Sequence, residues 1–548
     1  MENDSLTNSP TPCTAIVVHE TVSDGASHNA EPNEATPRSK SRPIARKVGR
    51  SELAWELIDL AEGMDVRHGT INGESQVFVC IESITGAAFE PQWAGTREAR
   101  FRRWLAALCY HRLQRGPTAA VLDEVVAHIE ARGFGLPAEP IARRVTGHDG
   151  SIWISLGPED ERVVEITPNG WAIVEDAPVL FLPAENAGTL PVPVPGGKLE
   201  LLRRYFPNVQ DADWPSLVGF IIATYLPDGA LPILALSGPK NSGKSMTTEL
   251  IRAICDPVVG LDARSAFPDN VEDVFTIAST THVLSFDNLS RIDKNISDAL
   301  CTVTTGAARQ TRRFYAQGSL YTSRARNPVI LNGISTGIER EDLVSRTVFI
   351  DLQPIPDAAR RKESLLRSDF RRDLPEILGA LLDGVAIALR DGQATTIAPA
   401  HRLEDAACFA TAAEPALGFT DGAIVDAWLR SQDSTQEDLG SVDPLVEVLS
   451  RLMFNCSVWN GSASILLKQA VAMSEGEDAV KPPKDFPLTA RQIGEQLLRK
   501  KDVLKRAGFT VMKARTNDAR LIKIERKIVA EPITRVSVVR PTEKGEPR

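Results

Sequence analysis

Several things are missing from this chain of 548 residues. It has no apolar run approaching the roughly 18 residues that cross a bilayer, and its start, MENDSLTNSPTPC, is polar where a signal peptide would be basic and then apolar. A membrane protein is excluded as the expectation, and a cytoplasmic location is expected. Its seven cysteines (Cys13, Cys80, Cys109, Cys255, Cys301, Cys408, Cys456) are scattered and form no C-x-x-C pair, which speaks against a zinc module and for reduced thiols. There is no overall positive charge either. With a formal net charge of −10, any nucleic-acid site must be a local basic patch. No internal repeat at a fixed period is visible, and the length suits roughly three to four domains.

What is present is concentrated between Leu231 and Cys255. The apolar run Leu231 to Leu236 reads as a buried strand, and an amphipathic helix follows. Between them Gly238, Pro239, Lys240, Asn241, Ser242, Gly243, Lys244 and Ser245 fill the G-x-x-x-x-G-K-[ST] spacing of a P-loop, with Met246 next. Glycines let such a loop close around phosphate with its N–H groups inward, and the helix N-terminus adds positive potential. Lys244 can then reach the β- and γ-phosphates, and Ser245 can hold Mg²⁺. ATP and Mg²⁺ are the cofactors this implies.

A P-loop says only that phosphate is held. Hydrolysis also wants an acid for the metal, a polar group for the water and a cation on the transferring phosphate. The segment THVLSFD supplies a strand ending in Asp287, with Asn288 next; NPVILNG ends in the amide of Asn332; and TVFIDL follows Arg346, with Arg340 nearby. Chemistry at the C-terminal tips of strands is what a parallel α/β sheet delivers.

From Ala299 through Ile338 there is no acidic residue, while Arg309, Arg312, Arg313, Arg324 and Arg326 are interleaved with Phe314, Tyr315 and Tyr321 around Gln317-Gly318. A basic hairpin with aromatics suits single-stranded nucleic acid, by neutralising backbone and stacking on bases. It also argues against a small-molecule kinase. A second basic region lies from Lys481 to Lys527, with fourteen Lys or Arg against five Asp or Glu. Arg499, Lys500 and Lys501 lie on a helix expected over 489–507, opened by the capping box of Thr489 and Gln492.

The organisation expected from these patterns is a multidomain α/β protein. Residues 1–48 form a disordered tail, 50–195 an N-terminal module that is helical and then β-rich, and 198–395 a P-loop core. A helical connector spans 396–440, a winged-helix-like DNA-binding domain 441–528, and a tail 529–548. Pro191 to Gly197 reads as a stiff linker. No polymerase carboxylate set is visible in 50–195, so priming would fall to a separate chain.

The series GPKNSGKS, VLSFDN, TTGAARQTRRFY, NPVILNG and DLVSRTVFIDL resembles the AAA+ core of superfamily 3 helicases and of related phage and plasmid primase-helicase proteins. By that resemblance Gly238 to Ser245 is Walker A, Asp287 Walker B, Asn332 sensor 1, Arg346 an arginine finger acting on a neighbouring subunit, and the basic segment leads into a DNA-contacting hairpin. It implies a hexameric ring on single-stranded or forked DNA, and an ATP-dependent helicase or translocase. One departure stands out: Asn288 replaces the family's second acid, leaving Asp293 or Asp298 as other carboxylates for hydrolysis. The alternative is a DNA-binding regulator gated by ATP with little turnover.

Overall fold

The computed structural model describes residues 52–71, 73–84, 92–184, 186–259, 265–289, 291–312, 320–334, 337–441, 443–454, 456–472, 486–515, 520–526 and 536–541. The chain divides into Met1–Arg50, which lies outside those residues together with the tail expected there, and Ser51–Arg548.

The second unit begins with helix Glu52–Glu62, whose buried residues Ala54, Leu57, Ile58 and Ala61 repeat at helical spacing. That stripe meets helices Ala99–Leu113 and Ala119–Gly133 over the hairpin Val66–Ile71 and Glu74–Ile81. Helix Ala119–Gly133 starts where Thr118 caps it, its hydroxyl accepting from Val121 N at 3.4 Å. A four-stranded antiparallel meander follows, Val145–His148, Ser151–Gly157, Asp160–Thr167 and Gly170–Val174. Strand alternation turns Ile152, Ile154, Leu156, Val164 and Ile166 to one face, and that face joins a core shared with helix Glu363–Asp391.

The segment read above as a linker, 191–197, is therefore no free spacer. Val194 N donates to Pro375 O at 3.0 Å, and a Cβ on Gly197 would lie 1.8 Å from Glu376 O. Apolar surface on the meander must be covered, and the long helix covers it. The same core takes in Glu404–Ala412 and Ala423–Ser441, with Trp428 fully buried. These helices, expected as a connector, are part of the central body.

At its centre lies a five-stranded parallel sheet in the order Ser265–Ala266, Leu284–Leu289, Val329–Gly333, Ile233–Ser237, Thr347–Asp351. Both faces are covered, which is why its strands read as continuous apolar runs. Leu234 and Leu236 face the helices Trp214–Ala223, Lys244–Cys255 and Glu363–Asp391. Ile233 and Ala235 face Val271–Thr280 and Lys294–Thr305. Parallel pairing brings Ser237, Asp287, Asn332 and Asp351 to one end.

The C-terminal region runs helix Pro444–Leu452, strand Val458–Gly461, helix Ala463–Ala472, helix Ala490–Arg499, helix Lys501–Arg506, then strands Phe509–Arg515 and Arg520–Arg526. The three strands form one antiparallel sheet with Arg520–Arg526 in the middle. The capping box at Thr489 and Gln492 is made, but the single helix expected over 489–507 breaks at Lys500, where φ is −99° and ψ 21°. Residues 516–519, between the last two of these strands, lie outside the described residues. The expected tail holds a strand, Ser537–Val539, paired antiparallel with Thr396–Ala398. No described helix is long and apolar enough to cross a membrane.

Candidate functional site

The phosphate-loop sequence closes tightly at the tip of strand Ile233–Ser237. Gly238 has φ +144°, and a Cβ there would lie 2.5 Å from Leu352 O, so only glycine fits. Asn241 and Gly243 take φ +68° and +79°, which turns the chain into helix Lys244–Cys255. The first amides of a helix have no partner within it and leave its N-terminus electropositive, and here that N-terminus directly follows the loop. Lys244 Nζ folds back to donate to Gly238 O and Pro239 O, both at 2.8 Å. Pro239, Lys240 and Asn241 are exposed, Met246 is half-buried against the core, and Ser242 is buried. Asn208 steadies the loop from behind, donating to Ser242 O at 2.7 Å and to Thr247 Oγ1 at 3.0 Å.

Beside the loop a chain of short polar contacts crosses the sheet tips. Ser245 Oγ donates to Asp287 Oδ2 at 3.4 Å, and Asn288 N donates to Asp287 Oδ1 at 2.8 Å and Asn332 Oδ1 at 3.3 Å. Asn332, almost fully buried, donates through Nδ2 to Thr248 Oγ1 at 3.0 Å, and Thr248 donates to Lys244 O at 3.1 Å. Asn288 contributes its backbone to this chain while its exposed side chain sits on a left-handed residue, φ +60°, a conformation asparagine tolerates. Asp351 stands at the same end, accepting from Ser237 Oγ at 3.0 Å. The structure thus brings Lys244, Ser245, Asp287 and Asn332 together. Asn208, Thr248 and Asp351 join them without any sequence signal beyond their residue type.

The substitute carboxylates are engaged elsewhere. Asp293 caps helix Lys294–Thr305, accepting from Asn295 N at 2.8 Å and Ile296 N at 3.1 Å, and Asp298 pairs with Arg340. Arg346 is not brought to the loop of its own chain. It precedes strand Thr347–Asp351, and Ile233 N donates to its carbonyl at 3.0 Å, so it sits at the opposite end of the sheet. Its side chain is 11% exposed and paired with Asp342 at 3.3 Å.

Of the nucleic-acid candidates, Arg309 and Arg324 lie on the paired strands Ala308–Arg312 and Leu320–Arg324. Arg309 is committed: it pairs with Glu272 at 2.7 Å and lies 5.2 Å from the Phe275 ring centre. Arg324 is exposed. Arg312 ends its strand with a side chain outside the described set, and Arg313, Tyr315 and the hairpin tip lie outside the described residues altogether. Arg499 and Lys501 are exposed, whereas Lys500 pairs with the half-buried Asp443 at 2.6 Å. Counting basic residues overstated both surfaces, because acids distant in sequence neutralise some of them. Among the described residues no three His, Cys, Asp or Glu converge as a metal site, so a cation here would rest on Ser245, Asp287 and a ligand's own oxygens.

Residues 201–438 match the family model for the Actinomycete integrative conjugative element replication protein, and residues 445–535 match the model for the AICE RepA C-terminal domain. No curated protein matches the chain. Among solved structures it is similar to the A form apo structure of the NrS-1 C terminal region, at 10% identity over 87% of this chain and 99% of that one, with a TM-score of 0.36. A JCV helicase bound to an acetamide compound is similar at 16% identity over 34% of this chain and 54% of that one, with a TM-score of 0.21. Scores this low define no common fold.

Proposed function

We propose that this chain, which over residues 201–438 and 445–535 belongs to the replication-protein family of actinomycete integrative conjugative elements, is an ATP-dependent helicase or translocase acting on DNA during element replication. The observation that carries the reading is the junction of Lys244, Ser245, Asp287 and Asn332 at one end of the parallel sheet, beside the tight glycine loop 238–243. In it the loop N–H groups and Lys244 hold the phosphates, with Lys244 exchanging two carbonyls for phosphate oxygens. Ser245 and Asp287 would hold Mg²⁺, which when bound neutralises charge on the β- and γ-phosphates. Asn332, fixed by Thr248 and the Asn288 amide, orients a water or the terminal phosphate. Arg346 would have to leave Asp342 to reach a neighbouring subunit's nucleotide in a ring.

The C-terminal order of helix, strand, three helices and hairpin supports a winged-helix reading, with Arg499 and Lys501 on the DNA side. A separate primase or other replication protein would complete the machinery.

A second reading has an observation of its own. Asn288 cannot take a proton from water, and Asp293 and Asp298 are occupied in capping and pairing, which suits a DNA-binding regulator that holds ATP with little turnover. Hydrolysis by purified protein, with and without single-stranded DNA, separates the two. The motor reading expects DNA-stimulated turnover abolished by Lys244→Ala and raised by Asn288→Asp. Tight ATP binding with negligible turnover would replace it with the regulator.

A further inference from the structure

The last described residues do something that neither family match covers, since those matches end at residue 535. Strand Ser537–Val539 runs antiparallel to Thr396–Ala398, with Ser537 opposite Ala398, Val538 opposite Ile397 and Val539 opposite Thr396. Its burial alternates. Val536, Val538 and Arg540 are half-buried, while Ser537 and Val539 are exposed, as expected of a strand with one face against a core. Val536 and Val538 pack on the central core, and they do so over Gly422. A Cβ on Gly422, φ +81°, would lie 3.2 Å from Val538 Cγ2 and 3.3 Å from Val536 Cγ1. The surface under the strand is cut to receive it.

Beyond the strand, Arg540 reaches Glu414, whose side chain is fully buried. Arg540 Nη2 lies 2.8 Å from Glu414 Oε2 and donates to Thr411 O at 2.9 Å, while Nη1 pairs with Asp421. Glu414 also accepts from Gly422 N and Ile424 N, both at 2.8 Å, so main-chain donors from its own body of the protein hold its carboxylate alongside the arginine. A buried carboxylate left without its cation is costly, so the site favours an arginine two residues past the second valine.

We infer that the edge of Thr396–Ala398 together with Glu414 is an acceptor for an extended Val-x-Val-x-Arg strand, and that the chain's own residues 536–540 occupy it as a clasp holding the C-terminal domain to the core. The domain enters through helix Ala423–Ser441 and leaves through this strand, so it is fixed at both ends. Main-chain pairing supplies affinity, and the two valines and the arginine supply selectivity. The inference stands apart from any ATPase or DNA activity.

Hydrogen exchange on the full chain tests the clasp. Arg540→Ala should speed amide exchange at residues 396–398 and 537–539 at least tenfold, with helix Lys244–Cys255 unchanged; unaltered exchange at both strands overturns the inference. A second measurement also uses the full chain. A labelled peptide of residues 535–541 should bind the Arg540→Ala chain at least tenfold more tightly than wild type, whose site is filled by its own strand. The same peptide carrying Arg540→Ala should bind the Arg540→Ala chain at least tenfold more weakly than the native peptide. Equal binding of the two peptides, or equal binding to the two chains, overturns it.

Discussion

The two ends of the parallel sheet use polar residues in opposite ways. At the phosphate-loop end, Ser245 meets Asp287 at 3.4 Å, Asn332 and Asn288 share one amide contact, and Lys244 rests on two carbonyls. At the far end of helix Lys244–Cys255, Asp256 is nearly saturated. It accepts from Thr281 Oγ1 at 2.8 Å, His282 N at 2.9 Å and Val283 N at 3.0 Å, and pairs with Arg144 at 3.3 Å and Arg252 at 3.5 Å. Arg144 comes from the N-terminal module and also donates to Ser155 O, Leu156 O and Gly188 O. Burial alone would push the Asp256 carboxyl up, but the guanidinium groups of Arg252 and Arg144 outweigh it and hold it well below the usual range. A saturated charge cluster locks domains together, whereas a loosely tied one can exchange its partners for a ligand's.

Removing a carboxylate from each end should break this symmetry most visibly. Asp256→Ala leaves two arginines buried without an anion and should cost about 3–5 kcal/mol in guanidinium unfolding. Asp287→Ala, at a half-buried position, should cost about 1 kcal/mol or less. Equal losses would erase the distinction between the ends.

Acid should act on the locked regions next. Burial lowers His282 and His401 to about 4, and His401 Nδ1 accepts from Leu403 N at 3.0 Å, so both rings are neutral when folded. The unfolded chain takes up these protons near pH 6.5 and the folded chain only near 4. Stability is therefore fully present above pH 6.5 and falls between 6.5 and 4, by at most about 3 kcal/mol for each ring. Asp256, with its lowered pKa, adds a further loss only below about pH 4. Unfolding free energy followed against pH in wild type and His401→Gln checks this, because the variant should lose part of the upper step. A flat profile from pH 7 to 4 would contradict the burial of the two rings.

At the open end the expected effect appears only with ligand. Mg²⁺-ATP at about a hundredfold above its Kd should stabilise wild type by about 2.7 kcal/mol, while Lys244→Ala should unfold normally without ligand and gain almost nothing with it. An undiminished thermal shift in Lys244→Ala would move the nucleotide away from this loop.

How much of this could be read from residues alone follows the same division. Gly238 and Gly243 announce themselves because their backbone angles exclude other side chains, and the strands ending in Asp287 and Asn332 are apolar runs that a sheet covered on both faces requires. Asn208 and Thr248 are legible only once folding brings them to Ser242 and Asn332. Arg309 looks like a nucleic-acid contact until Glu272, far back in sequence, is found beside it. The Pro-rich segment 191–197 has the composition of a linker yet is tied by its backbone to helix Glu363–Asp391, a contact that composition does not report. Strands Val458–Gly461 and Ser537–Val539 are too short to show a period, and their partners define them.

The smallest effects extend the comparison into the C-terminal domain, where three consecutive basic residues divide between the two uses. Lys500 bridges to Asp443, which caps helix Pro444–Leu452 by accepting from Leu445 N at 2.9 Å, so Lys500→Ala should lose about 1 kcal/mol of stability. Its DNA affinity should barely change. Arg499 and Lys501 are exposed on either side of the helix break, and removing either should leave stability within about 0.5 kcal/mol while weakening DNA binding across sequences. Each lost phosphate contact should also make the slope of log affinity against log salt shallower by about 0.7 to 0.9. Titrations of the three variants at several salt concentrations distinguish the roles. A Lys500→Ala slope that falls as far as that of Arg499→Ala would show that its bridge to Asp443 opens when DNA is bound.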